Sequence, residues 1–202
     1  MDNKHIEDLK EIKEIMNRST RFISLSGISG ISTGIMALIG SILAYFIIFK
    51  HQNILDYNPV EISNKDLFYL LLIAFCTLLC SIVCAIYFTN RKTKKENRKI
   101  WDSQSKRLIT NLSIPLITGG VLCLMLLFKG FIGFLAPLTL IFYGLALVNG
   151  SKYTFKEIKT LGLIEIALGL VAFQFIAFGL FFWMLGFGIT QISYGLIVQA
   201  KY

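Results

Sequence analysis

Long apolar runs separated by short charged segments set the pattern of this chain. Uncharged stretches of 28, 24, 21 and 22 residues lie between Arg21 and Lys50, Asp66 and Arg91, Arg107 and Lys129, and Lys129 and Lys152. A helix rises about 1.5 Å per residue and a bilayer core is about 30 Å thick, so about 20 residues cross once. Each stretch predicts one transmembrane helix. The interval from Lys159 to Lys201 holds 41 residues with Glu165 as its only charge. It has room for two crossings, with a turn near Gly179 ahead of Phe181, Phe182 and Trp183, whose rings suit a membrane interface. The fold class is therefore all-α membrane, with six transmembrane helices. A β-barrel is disfavoured because the runs are continuously apolar instead of alternating at every second residue.

Ahead of the first run, Ile6, Leu9, Ile12, Ile15 and Met16 recur at helical spacing among Lys and Glu. Residues 1–21 thus read as a cytoplasmic amphipathic helix, lying on the membrane surface or pairing with a partner helix. Those 21 polar-rich residues precede an apolar run too long for a signal peptide, so the first span reads as a retained anchor. Residues 22–202 then form one transmembrane domain of hairpins, at about 22–90, 108–151 and 160–202.

The fourth and sixth spans end alike. Tyr143-Gly144-Leu145 leads through Val148 and Asn149 to Lys152-Tyr153, and Tyr194-Gly195-Leu196 leads through Val198 and Gln199 to Lys201-Tyr202. Thr139 and Thr190 each stand four residues before their tyrosine, and Gly120 and Gly169 occupy similar places in the preceding spans. The last two hairpins read as copies of one unit, related by an axis along the membrane normal because each begins on the same side. Gly30 and Tyr87 give the first hairpin a looser match.

Composition agrees with the pattern: 55% of the chain is hydrophobic and only 16% charged, where soluble domains are about a quarter charged. Mean hydropathy is +0.67. The net charge of +8 comes from 20 Lys and Arg against 12 Asp and Glu. With the N-terminus inside, 17 of those 20 cations fall on inner segments and only Lys50, Lys65 and Lys129 outside, which predicts that both termini are cytoplasmic. Topology thus explains the basic pI, and no nucleic-acid partner is expected.

Arg21-Phe22-Ile23-Ser24-Leu25-Ser26-Gly27, Trp101-Asp102 and Tyr143-Gly144-Leu145-Ala146-Leu147 followed by Ser151-Lys152-Tyr153 resemble a family of small six-helix bacterial integral membrane proteins of uncharacterised activity. The resemblance covers most of the chain. It implies a bacterial cytoplasmic (inner) membrane location and carries no activity, substrate or catalytic residue.

Candidate chemistry is sparse. Glu165 is the one acid inside an apolar span, where a carboxylate costs about 2.5–3.5 kcal/mol unless paired, wetted or protonated. It is a candidate proton or cation site, although its place six residues after Lys159 also allows it to snorkel to the interface. Gln174 and Gln191 fall at similar depth on either side of a turn near Gly179, within reach of a hydrogen bond as interhelical glue or as a solute contact. Thr190 and Tyr194 join them as path-lining candidates, and Thr139 and Tyr143 share that reading. Ser26, Gly30 and Gly34 leave one face of the first span without bulk, fit for helix packing or self-association. Arg91, Lys92, Lys94 and Lys95 open a basic loop that runs to Lys99 and suits anionic head groups of membrane lipids.

Cys76, Cys80 and Cys84 stack on one strip of the second span, but no His joins them, so no metal site is expected. His5 and His51 lie outside the spans, and no nucleophile–base pair, phosphate loop or Cys-x-x-Cys occurs. No catalytic residue, cofactor or enzyme activity is expected. Two functions remain open: a small-solute or ion transporter or channel component, with Glu165 titrating, or a non-catalytic scaffold or regulatory subunit acting on a membrane partner or a second copy.

Overall fold

The computed structural model describes residues 27–48, 64–95, 103–154 and 156–201. The amphipathic segment over 1–21, Ser26 and Trp101 lie outside these. The described residues are helical apart from short turns: α1 (Gly27–Ile48), α2 (Asn64–Lys95), α3 (Ser103–Phe128), α4 (Leu135–Gly150), α5 (Lys156–Gln174), α6 (Gly179–Trp183) and α7 (Gln191–Lys201). A π-helical segment, Met184–Thr190, joins α6 to α7, so these three form one continuous rod. Five helices are long and apolar enough to cross a bilayer. The sixth rod is α5, whose 19 residues carry Glu157, Lys159 and Glu165. This is an all-α membrane protein.

Helix is the state these sequences must adopt in lipid, whatever the β-propensity of their Ile, Val and Phe, because hydrocarbon offers no partner for a free backbone group. Two places show how that rule is kept. Pro115 stands inside α3 and cannot donate to the carbonyl of Asn111. The Asn149 side-chain amide, from α4, donates to that carbonyl instead, at 2.9 Å. At the far end of α3, Gly130 takes φ +80°, and Phe131 N–H bonds Leu126 O at 2.9 Å while Gly130 N–H bonds Leu127 O at 3.0 Å. This is the Schellman pattern, which needs a left-handed residue after the helix.

Expected and observed boundaries differ in two respects. The turn before the last rod is a 3-10 turn at Ile176–Phe178, slightly earlier than Gly179. The basic stretch beginning at Arg91 is not a loop at its start: α2 continues through Lys95, so Arg91, Lys92 and Lys94 stand on its last turns, and the rest of that run lies outside the described residues.

Two of the helix crossings repeat one register. In the α4–α5 crossing, a Cβ on Gly144 would stand 2.6 Å from the Gly162 carbonyl oxygen, and one on Gly162 would stand 2.7 Å from that of Gly144. Gly195 and Gly27 face each other the same way between α7 and α1, at 2.6 and 2.5 Å. Two turns away, Gly169 lies over the Pro137 carbonyl and Gly34 over that of Gly188, each at 2.9 Å from the Cβ it lacks. The step from Pro137 to Gly188 and from Gly144 to Gly195 equals the step from Tyr143 to Tyr194. The small face of α1 is therefore filled from within the chain, by the last rod: Gly30 meets Gly195 and the Tyr194 ring, and Gly34 meets Gly188 and Ile192.

A third such crossing is missing. Gly120 of α3 has nothing within 4 Å of its missing Cβ. Tyr87 of α2 is 58% exposed where Tyr194 is 8% exposed. α2 packs chiefly on α1, with Thr77 seated on Gly40, and makes no extended contact with α3.

Candidate functional site

α5 presents Gly162, Glu165 and Gly169 on one face, at spacings of three and four. The two glycines let α4 approach closely enough that whatever lies between them is sealed from lipid. Glu165 is accordingly 0% exposed. It does not snorkel: the side chain points across the bundle to the last rod, where the Thr190 hydroxyl lies 2.9 Å from its Oε1. The same hydroxyl also reaches the Gly186 carbonyl, four residues back. Glu165 Oε2 is buried with no hydrogen-bond partner, and so is Gln191 Oε1 on the residue after Thr190.

The rod is shaped for this contact. Its π-helical segment Met184–Thr190 contains Gly186 and Gly188, both buried. π-helical turns offset the register of the residues that follow and are frequent at functional sites. A Cβ on Gly186 would collide with Glu165 Oε2 and Leu140, so the glycine is what leaves room for the carboxyl. On the fourth helix, Tyr143 lies beside the Gln191 side chain and near Glu165. Phe187 stacks between Tyr143 and Trp183, with ring centroids 4.9 Å apart on each side, which covers the site with aromatic surface.

Of the residues singled out from the sequence, Glu165, Thr190 and Gln191 come together. Tyr194 lies a turn further along α7, packed with Ile158, Leu161 and Val198. Gln174 does not join the site. It is the last residue of α5 and exposed, nine residues or about 13 Å along the axis from Glu165. Gln191, by contrast, sits at the level of Glu165, so the two glutamines do not pair. Tyr143, already among the path-lining candidates, completes the site with Gly186 and Leu140, which were not in the sequence-derived set. The spacing of Gly162, Glu165 and Gly169 was the signal for them, since an acid flanked by glycines on one helical face must meet a close neighbour.

At the basic end of the bundle, Lys201 donates a hydrogen bond to Glu157 Oε1. The Lys201 ammonium holds the Glu157 carboxyl below the usual glutamate range. Among the described residues, no three His, Cys, Asp or Glu side chains are grouped as a metal site would require.

A family model described as TMEM128 protein matches residues 31–154, well over half of the chain. The chain belongs to the TMEM128 family. The TMEM128 match runs from α1 to the turn after α4, so it takes in Tyr143 and the Asn111–Asn149 tie and ends before α5 and the rod. The residues that carry Glu165 and Thr190 lie beyond it. No curated protein and no solved structure matches the chain. The family is one of membrane proteins, which agrees with the apolar helices.

Proposed function

We propose that this chain is a non-enzymatic transport-type membrane component that takes up a proton at Glu165, inside the bundle. One observation supports this above all others: a fully buried carboxyl has one oxygen without any partner, next to a hydroxyl already engaged elsewhere. Thr190 has a single hydroxyl proton. When that proton is given to the Gly186 carbonyl, the bond between Thr190 and Glu165 requires its proton from the carboxyl. A small monovalent cation is the other occupant consistent with the acceptors present, since Glu165 Oε2, Gln191 Oε1 and the Gly186 carbonyl supply oxygen and little positive charge. Gln174 has no part in this reading, and Tyr194 serves as the apolar-side neighbour of the site.

In this reading both chain termini and the basic segments face the cytoplasm, and Arg91, Lys92, Lys94 and Lys95 contact anionic head groups. The bacterial cytoplasmic membrane as location follows from the sequence resemblance alone. Scaffolding through the Ser26, Gly30 and Gly34 face gains no support, since Gly30 and Gly34 are covered by the last rod. The test is flux in proteoliposomes. Wild-type protein should dissipate an imposed pH gradient faster than empty vesicles, and Glu165→Gln should abolish the excess. An excess that survives Glu165→Gln would remove the carboxyl from the mechanism, and a sodium- or potassium-dependent excess would replace the proton by that cation.

A further inference from the structure

A second feature, independent of Glu165, lies at the basic end of the bundle where α2 and α3 first approach. A half-open cavity of 190 Å³ lies there, lined by Thr89 of α2, Leu108 and Leu112 of α3, Leu147 and Gly150 of α4, and Ile158 of α5. Its one further wall residue is Thr154, in the turn between α4 and α5. Thr154 is 0% exposed, and its Oγ1 has no hydrogen-bond partner. Apolar cavities of about 150 Å³ lined by Leu and Ile stay dry and accept hydrocarbon guests. Its polar side chains are Thr89 and Thr154, and of these the Thr154 hydroxyl is the one buried without a partner, which matches a guest with a long apolar body and one acceptor.

The way in is lateral. α2 and α3 each supply part of the cavity wall and make no extended contact with one another. Ile82 is 47% exposed and Ile117 is 65% exposed, and Gly120 faces open space. Lipid chains therefore reach the cavity through the seam between these two helices without crossing a packed wall. The depth also fits. Thr154 lies between Lys152 and Lys156, at the charged end of the spans, where head groups give way to hydrocarbon. A glycerolipid places its ester carbonyls at that level.

We infer that this cavity binds one acyl chain of a bilayer phospholipid, which enters between α2 and α3, lies against Leu112 and Leu147, and accepts a hydrogen bond from Thr154 at its ester carbonyl.

The test uses the full chain in phosphatidylcholine vesicles doped with phosphatidylcholine carrying a diazirine on one acyl chain, with adducts mapped by mass spectrometry after illumination. Adducts on Leu112, Leu147 or Ile158 are expected. Leu112→Trp, which fills the space, should remove them while leaving adducts on the outward-facing Ile109 intact. Thr154→Val keeps the shape and should lower cavity labelling about fivefold, the worth of one neutral hydrogen bond; it decides the matter if the tryptophan variant does not fold. Wild-type adducts confined to outward faces, or cavity labelling indifferent to Thr154→Val, would overturn the proposal. Cavity adducts from a diazirine fatty acid and none from the phospholipid would also overturn it, in favour of a free acid.

Discussion

Gly34, Gly169 and Gly120 occupy matching places in three spans and have three different surroundings to match, so one substitution measures the architecture. An alanine at Gly34 would place its Cβ 2.9 Å from the Gly188 carbonyl oxygen and 2.6 Å from Ile192 Cγ1. At Gly169 the same atom would stand 2.9 Å from the Pro137 carbonyl oxygen and 2.6 Å from Ile141 Cγ1. The isoleucines can turn, but the carbonyls belong to helix backbone. Restoring ordinary contact of about 3.4 Å needs the helices to part by about 0.5 Å, which already forfeits about a quarter of the dispersion energy of each pair along the crossing. Overpacking of this kind costs about 1–3 kcal/mol. Gly120 has no neighbour within 4 Å, so alanine there meets nothing and gains up to about 1 kcal/mol of helix propensity. Denaturation in detergent micelles, followed by circular dichroism for all three variants, should place Gly34→Ala and Gly169→Ala below wild type and Gly120→Ala at or above it. A loss at Gly120 equal to the other two would mean that α2 and α3 form the missing crossing, and the reasoning from register and open seam would fail.

Thr190→Val should destabilise by about 1–3 kcal/mol, because it leaves both oxygens of a buried carboxyl without a partner, whereas Thr190→Ser should recover most of that in the same unfolding assay. Glu157 has its carboxyl held low by Lys201, so this pair contributes above the ordinary glutamate range and the contribution is lost as the pH falls through the lowered folded value. The pair is largely exposed on the Lys201 side, so the melting difference between wild type and Lys201→Gln should be small, about 0.2–1 kcal/mol near neutrality, and fade as the pH falls below the ordinary glutamate range. In a cysteine-free background, Lys94→Cys and Lys129→Cys should label from opposite sides of sealed vesicles. Labelling of both from one side would refute the alternation of the spans.

The helices were legible because lipid leaves so few options: uncharged length alone marks a span, and Lys and Arg mark the ends. The side-by-side partnership of α4 with α5 was less so, and the closure of α1 onto α7 not at all, since both depend on which glycines share a face, and Gly27, Gly34, Gly162 and Gly169 look like any small residues in a membrane sequence. Glu165 illustrates the difference. Counting residues from Lys159 measures its depth and allows snorkelling, but the direction of the side chain is set by Gly162 and Gly169 beside it. Gln174 erred the other way: even counted from a turn at Gly179 it stands five residues away and Gln191 twelve, about 7 and 18 Å along the axis, and the turn at Ile176–Phe178 only widens that gap. The shape of the rod was not legible, since a π-helical segment answers to its neighbours, Leu140, Leu38 and Glu165, which no local pattern names.

The closure of α1 onto α7 also bears on how the chain is made. During synthesis the first helix enters the bilayer long before its glycine partner exists, and its bare backbone face must wait until nearly two hundred residues have been translated. A ribosome stalled or a message truncated before the last rod leaves that face unclaimed, a ready mark for the machinery that removes orphaned membrane segments. Completion of the C-terminal end is thus the event that secures the N-terminal one.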